Sequence, residues 1–189
     1  MRNLSLAAIT LVYMMAGCSS VLDAGVNEPI QDKSSQRSLG RMLDDESIET
    51  KALVNLRKAD DALRDANILV VSFNGIVLLA GQVPSPQLKQ LAARTVTDIR
   101  YVRKVHNEIT VGEPNDFGGR SADSWITTRV KSRMLFSSNV DPAEVKVVTE
   151  SGVVYLLGLV DQQSADKAVD MARHTNGVQK VVRIFEYID

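Results

Sequence analysis

Residues 74–83, NGIVLLAGQV, recur with few changes as residues 151–160, SGVVYLLGLV, at a constant offset of 77 residues. An internal repeat of this kind defines the folding unit before any single motif is interpreted. The chain is therefore predicted to hold two copies of one structural unit. Five of the ten positions are identical, namely Gly75, Val77, Leu79, Gly81 and Val83 in the first copy and Gly152, Val154, Leu156, Gly158 and Val160 in the second.

The repeat extends in both directions from this stretch. Upstream, SIETKA at 47–52 aligns with WITTRV at 125–130, and downstream VRKV at 102–105 aligns with VQKV at 178–181. The offset changes by one residue on each side, to 78 and to 76. Single-residue length changes are tolerated best in loops and at element ends, so the two copies are expected to share one fold.

Each copy has the same predicted order of elements: helix, strand, strand, helix, strand. Strands follow from alternating apolar residues and helices from apolar residues at helical spacing. The turns at Asn74-Gly75 and Ser151-Gly152 separate the first two strands, since glycine tolerates the positive φ of a two-residue hairpin. The predicted helices cover about 46–65, 86–99, 121–137 and 163–174, and the predicted strands 68–72, up to 83, 103–111, 145–149, up to 160 and 179–188.

This order predicts an α+β fold class. A hairpin makes its two strands antiparallel, and a right-handed strand–helix–strand crossover makes the next two parallel. Each unit should then be a three-stranded mixed sheet with both helices on one face. Four glycines are predicted as structural turn residues: Gly75, Gly81, Gly152 and Gly158.

The strings WITTRV, GVVYLLGLV and GVQKVV, together with the hairpin turns, resemble the BON domain family, and the resemblance covers both units. It implies two tandem domains of αββαβ topology that bind anionic phospholipid and support outer-membrane integrity, with a role at the division site as a further expectation. It also implies no enzymatic activity. In the family, the tryptophan of the WITT motif lies in the phospholipid-binding helix of the second domain, which corresponds to Trp125.

The N-terminal sequence predicts a lipoprotein. An apolar run from Leu4 to Ala16 follows Arg2 and is too short to span a bilayer core of ~30 Å. It ends in Met-Ala-Gly-Cys, a lipobox with Met15 where leucine is usual, so Cys18 is the predicted lipidation site. We expect an outer-membrane location facing the periplasm. The predicted segments are a signal peptide at 1–17, a tether at 18–42, domains at 43–112 and 121–189, and a linker at 113–120.

The charge distribution separates the two copies, although the net charge of the chain is only −1. The first predicted helix of the first copy is acidic, with seven acidic and five basic residues between Arg41 and Asp65. The equivalent segment of the second copy, 118–136, carries four basic residues against Asp123 alone. The same element has therefore diverged in its expected partner.

Helical geometry places Ile126, Val130 and Met134 on one stripe that should pack on the sheet. Trp125, the only tryptophan of the chain, falls off this stripe, and its counterpart in the first copy is Ser47. Two interpretations remain open: Trp125 packs against the other domain or the linker, on Phe117 for example, or it lies at a bilayer interface among cations. The candidate lipid-binding residues are Trp125, Thr128, Arg129, Arg133, Leu135 and Phe136.

Catalytic and metal-binding motifs do not occur in the sequence, so we expect no enzyme, no cofactor and no metal. His106 and His174 fall at non-equivalent positions of the repeat. Two function classes follow. One is a lipid-anchored module that binds anionic phospholipid through the helix holding Trp125. The other is a quality-control or interaction factor whose open sheet edges engage outer-membrane assembly proteins. Nucleic acid is not an expected partner of either.

Overall fold

The computed structural model describes residues 38–112, 117–137, 140–141 and 143–188, with the side chains of 117–120 not described. The predicted signal peptide, Cys18 and nearly all of the predicted tether lie outside these residues, as do 113–116 of the predicted linker. We call residues 39–111 domain 1 and residues 117–187 domain 2.

Domain 1 begins with helix α1 (Leu39–Ala59), which is capped by the hydroxyl of Ser38 accepting a hydrogen bond from the Arg41 backbone N–H. The helix therefore starts inside the segment predicted as tether, earlier than the expected position near 46. Asp60 is extended and interrupts the predicted helix, because its carboxylate caps a new short helix α2 (Asp61–Asp65) by accepting from the Ala62 N–H at 2.7 Å. The remaining elements are β1 (Ile68–Phe73), β2 (Ile76–Val83), α3 (Pro86–Thr97) and β3 (Lys104–Val111).

Domain 2 repeats this order without a counterpart of α2 in the described residues. Its first helix, α4, begins inside the predicted linker and ends close to the expected position. The elements are α4 (Phe117–Leu135), β4 (Val145–Glu150), β5 (Val153–Val160), α5 (Gln162–Arg173) and β6 (Lys180–Tyr187).

The predicted sheet topology is confirmed in both domains. The strand orders are β1-β2-β3 and β4-β5-β6, with the hairpin pair antiparallel and the crossover pair parallel. Equivalent pairs share one register, since Ser72 opposes Val77 as Thr149 opposes Val154. The α+β fold class with two three-stranded mixed sheets is thus as predicted.

The four glycines predicted as turn residues divide into two kinds. Gly75 and Gly152 occupy equivalent hairpin turns, each with a φ of +76°, after Asn74 and Ser151 with φ of +52° and +53°. The prediction is wrong for Gly81 and Gly158, which lie within strands β2 and β5. Their role is close backbone approach: a Cβ on Gly81 would clash with the carbonyl oxygen of Asn67, and one on Gly158 would lie 2.6 Å from that of Glu144.

The two sheets pack face to face, which explains why identical positions of the repeat alternate with divergent ones. Val77, Leu79 and Val83 point towards the helices of domain 1, as Val154, Leu156 and Val160 do in domain 2. The intervening residues form a third buried cluster between the sheets. Positions that face a domain's own helices have the same neighbours in both copies, whereas positions at the interface meet a different partner. The buried members of this cluster are Val71, Phe73, Ile76, Leu78, Ala80, Tyr155, Leu157 and Ile184.

Candidate functional site

Helix α4 has a buried face and an exposed face, as its sequence predicts. Ile126, Val130 and Met134 are 4% exposed or less and belong to the domain 2 core, which confirms the predicted stripe. Trp125 is 53% exposed and Phe136 is 88% exposed. At 100° per residue these two differ by only about 20° around the helix, so they share its outer face.

Trp125 and Arg129 form a stacked pair on this outer face. The guanidinium carbon of Arg129 lies 3.9 Å from the centroid of the indole, within the range of a cation–π interaction. Because Arg129 is itself exposed, the pair presents an aromatic ring and a cation together to solvent. The predicted neighbours Trp125 and Arg129 are therefore brought together.

The other candidate residues of α4 contribute in different ways. Thr128 donates its hydroxyl hydrogen bond back to the Ser124 carbonyl at 2.9 Å, so its donor is used inside the helix. Arg133 donates to the His174 carbonyl at 2.7 Å and ties α4 to the end of α5. Leu135 and Phe136 lie at the C-terminal end of α4, about 15 Å along the axis from Trp125 at 1.5 Å per residue. The candidate set therefore forms a strip along the helix rather than a pocket.

A buried carboxylate in each domain holds the hairpin turn, a role that the sequence reasoning missed. Asp45 accepts hydrogen bonds from the N–H groups of Asn74 and Gly75, both at 2.8 Å, and from the Ser72 hydroxyl at 2.7 Å. Asp123 accepts equivalent bonds from Ser151 at 2.7 Å and Gly152 at 2.8 Å. Asp45 and Asp123 are 78 residues apart, the same offset as the aligned helices, so the repeat alignment could have indicated that the two carboxylates share a role.

One group of polar contacts between the domains lies at the domain 1 turn. Glu186 of β6 accepts hydrogen bonds from Arg103 at 2.6 and 2.9 Å and from the Asn74 amide at 2.7 Å. Burial alone would raise the pKa of Glu186, but the hydrogen bonds from Arg103 and Asn74 and the charges of Arg103 and Arg41 hold it below its ordinary value. The repeat could not predict this contact, because Gln179 and Thr110 stand at the equivalent positions.

A second interdomain contact blocks the outer edge of β1. Glu49 accepts from the Ser72 backbone N–H at 2.7 Å, and Lys146 of β4 donates to Glu49 at 2.8 Å and to the Ser72 carbonyl at 3.2 Å. Both backbone groups of Ser72 on this edge are thus satisfied by side chains. Strand addition at this point of β1 would have to displace an ion pair.

Comparison with known proteins identifies the family from these two units. The family model described as "BON domain" matches residues 44–113 and 122–188, close to the two domains of the structure. The chain belongs to the BON family. The resemblance drawn from WITTRV and GVVYLLGLV is therefore confirmed.

Three relatives show which known proteins this BON protein is similar to. It is 37% identical to the outer membrane lipoprotein DolP of Haemophilus influenzae, over 93% of this chain and 91% of the relative. It is 41% identical to a 21 kDa hemolysin of Actinobacillus pleuropneumoniae, over 80% of this chain and 78% of the relative, and 29% identical to the osmotically-inducible protein Y of Escherichia coli, over 78% and 75%. The predicted outer-membrane lipoprotein is confirmed by the first similarity.

The described part of this BON protein holds no candidate metal site and no candidate membrane-spanning helix. No group of three or more His, Cys, Asp or Glu side chains in it could hold a metal ion. His106 lies on β3, where burial and the charge of Lys104 lower its pKa, and His174 is exposed at the C-terminal end of α5. Within the same residues, none of the helices is long and apolar enough to cross a membrane. None of the three names of the relatives denotes an enzyme.

Proposed function

We propose that this outer-membrane lipoprotein binds anionic phospholipid through the outer face of α4 and thereby supports outer-membrane integrity, at the division site among other places. The observation that carries the proposal is the exposed indole of Trp125 stacked against Arg129, opposite a fully buried stripe. An indole is favoured at the bilayer interface, where its ring can enter the acyl boundary while its N–H stays among the headgroups.

Electrostatics supports the same surface. Arg129, Lys131 and Arg133 are exposed on α4, and cations near an anionic membrane contribute roughly 1 kcal/mol each. Arg133 donates one hydrogen bond to the His174 carbonyl, and its side chain remains exposed. The equivalent outer face of α1 has Ser47 in place of the tryptophan and Glu46 beside it. The first helix of domain 2 is thus better suited to bind an anionic surface than the first helix of domain 1.

The alternative interpretation of Trp125, packing on domain 1 or the linker, has less support. The indole keeps about half of its surface in solvent, and its ring contact is with Arg129 of the same helix. The side chain of Phe117, suggested as a packing partner, lies outside the described part of the chain. These observations favour a binding role for the ring over a packing role.

We also propose Cys18 as the lipid attachment site. An acyl anchor would keep the protein at the membrane, where the protein surface can make a second contact with the bilayer. The α4 surface would supply that contact. Replacing Cys18 by alanine should abolish metabolic labelling with a fatty acid; equal labelling of the two proteins would rule out this site.

Vesicle co-sedimentation of the unlipidated form tests the lipid proposal. Trp125→Glu should lose most of its binding to vesicles that contain phosphatidylglycerol while its melting temperature stays near wild type. The matched control is Ser47→Glu, the equivalent position of α1, which should bind as wild type. If Trp125→Glu unfolds domain 2, the ring is a packing residue; if it folds and binds normally, the lipid site lies elsewhere.

A second candidate function is engagement of an outer-membrane assembly protein by strand addition. Strands β3 and β6 are terminal in their sheets, with no neighbouring strand on the outer side among the described residues. An extended segment could pair with such an edge. Lys104 on β3 and Arg183 on β6 place charges on these edges, a feature that generally discourages pairing. We therefore rank this candidate second.

A further inference from the structure

One end of the molecule gathers exposed hydrophobic side chains from both domains. This end, which we call the turn end, lies around the domain 1 hairpin turn at Asn74-Gly75. Seven large hydrophobic side chains at this end are between 46% and 88% exposed, four from domain 1 and three from domain 2. They are Leu39, Met42, Leu43, Tyr101, Leu135, Phe136 and Tyr187.

Hydrogen bonds to the turn bring the domain 1 residues to this end. Asp45 binds the turn, so the preceding residues of α1, Leu39 to Leu43, extend past it. The Arg103 N–H donates to the Gly75 carbonyl at 2.8 Å, which places the loop containing Tyr101 beside the turn.

Domain 2 reaches the same end by two elements. Glu186 binds Asn74 and Arg103, and Tyr187 follows it at the end of β6. Leu135 of α4 lines one groove together with Phe73, the residue before the turn. The outer face of α4 therefore meets the turn end at Leu135 and Phe136.

Tyr101 holds a conformation that favours glycine. Its φ is +73°, and the equivalent position of domain 2 is Gly177, with φ of +95°. A bulky residue in this region is strained, and strained residues of this kind cluster at functional sites. Arg100 lies over the Tyr101 ring, with 4.5 Å between its guanidinium carbon and the ring centroid, so this loop repeats the aromatic–arginine pairing of Trp125 and Arg129.

Two of the three cations of this loop, Arg100 and Arg103, are specific to domain 1, whereas Lys104 has a lysine as its counterpart. Arg100, Tyr101, Arg103 and Lys104 stand where domain 2 has Asn176, Gly177, Gln179 and Lys180. Arg103 is paired with Glu186, whereas Arg100 and Lys104 are exposed. With Arg41 on α1, Arg100 and Lys104 add positive charge to the end that carries the exposed hydrophobic residues, a combination that suits contact with anionic lipid.

We infer that the turn end is a second contact with the anionic bilayer, made mainly by domain 1 through Tyr101, Arg100, Lys104 and the start of α1. The bilayer fits this surface better than a protein partner for two reasons. The surface continues into the proposed lipid-binding face of α4, and the chain enters the described structure here, at Ser38, twenty residues after the proposed anchor at Cys18. This inference rests on the proposed function but assigns a different set of residues.

Tryptophan fluorescence can locate the contact, because Trp125 is the only tryptophan. The full lipoprotein would be reconstituted in vesicles of phosphatidylcholine and brominated phosphatidylglycerol, whose bromine atoms quench tryptophans that touch the acyl region. Two proteins are compared: wild type, and Trp125→Phe with Tyr101→Trp.

We expect the tryptophan introduced by Tyr101→Trp to be quenched. Adding Arg100→Glu and Lys104→Glu should reduce its quenching several-fold, whereas Lys180→Glu, the equivalent of Lys104→Glu in domain 2, should leave it unchanged. If Tyr101→Trp destabilises the loop, Tyr187→Trp in the same Trp125→Phe background provides a second probe of this end.

The outcomes separate the two proposals. Quenching of Trp125 in wild type without quenching in the Tyr101→Trp or Tyr187→Trp proteins would overturn the turn-end contact and leave the α4 proposal standing. Quenching in the Tyr101→Trp protein without quenching of Trp125 in wild type would support the turn end and overturn the α4 face. Absence of quenching at all of these positions would overturn both.

Discussion

The first helices of the two domains have the same internal face and different external faces. Ile48, Ala52 and Leu56 of α1 are buried like Ile126, Val130 and Met134 of α4, at a constant offset of 78 residues. Asp45 and Asp123 bind their hairpin turns in the same way. On the outside, α1 is acidic and α4 carries the tryptophan and cations. The duplicated framework therefore constrains the interior, while the exterior has been free to acquire different contacts.

The largest expected effect follows from removing the turn carboxylates. Asp45→Ala should lower the free energy of unfolding by roughly 3–5 kcal/mol, because it leaves buried donors of the turn without an acceptor. Asp123→Ala should cost somewhat less, about 2–4 kcal/mol, since fewer bonds to this carboxylate are seen. Urea denaturation measures both. A loss below about 0.5 kcal/mol for either variant would mean that the carboxylate is dispensable and that the two domains do not depend on this shared contact.

The turn glycines provide a second comparison of the two domains. Both turns require a positive φ that valine disfavours, so valine at either position should lower the free energy of unfolding by roughly 1–3 kcal/mol. Gly75→Val should be the worse of the two, because its Cβ would meet the Tyr101 carbonyl oxygen at 2.6 Å, whereas at Gly152 the nearest atoms belong to the movable side chain of Gln179. Thermal melting of both variants tests this order. Equal losses would show that φ strain alone sets the cost.

These turn positions illustrate how much of the fold could be predicted from sequence. The repeat predicted the element order, the mixed sheets, and both hairpins, because each depends on local patterns that occur twice. The face-to-face packing of the sheets was not predicted, although the run Ile76–Ala80 is apolar at every position and such runs indicate strands buried on both faces. The bounds of α1 were misjudged because Ser38 and Asp60, which cap helices, lie within polar segments.

The candidate site was predictable only where it depends on a single helix. The outer face of α4 followed from helical spacing, and Trp125 and Arg129 do lie together. The turn end was not predictable, because α1, the loop at Tyr101, the end of α4 and the end of β6 come from four separate parts of the chain. The Glu186 contact was missed for the same reason: its partner Arg103 is 83 residues away and lacks an equivalent in the repeat.

Glu186 provides a smaller, pH-dependent test of the domain interface. Its pKa is lower in the folded protein than the ordinary 4.5, so it contributes stability that is present above pH 4.5 and is lost as the pH falls below this value. Because Arg103 is about half exposed, the contribution should be about 1 kcal/mol. Glu186→Gln should be less stable than wild type at neutral pH, with the difference shrinking below pH 4.5. A difference that stays constant down to pH 3 would exclude the ionised pair as its source.

The smallest expected effect is a gain in stability at the strained loop. Tyr101→Gly removes a bulky residue with a φ of +73° and copies the residue that domain 2 has at this position, Gly177. Relief of the strain should exceed the entropic cost of glycine in the unfolded chain and raise the free energy of unfolding by about 0.5–1 kcal/mol. The reverse change, Gly177→Ala, should destabilise domain 2, because its φ is +95° and its Cβ would lie 3.1 Å from the Ile126 side chain. Urea denaturation of the two variants measures whether each change raises or lowers the free energy of unfolding. If Tyr101→Gly is instead less stable than wild type, packing in domain 1 holds the tyrosine, and its backbone strain is no evidence of a binding role. If the variant is more stable than wild type and binds anionic vesicles less well, the native tyrosine lowers the stability of this loop and contributes to contact with the membrane.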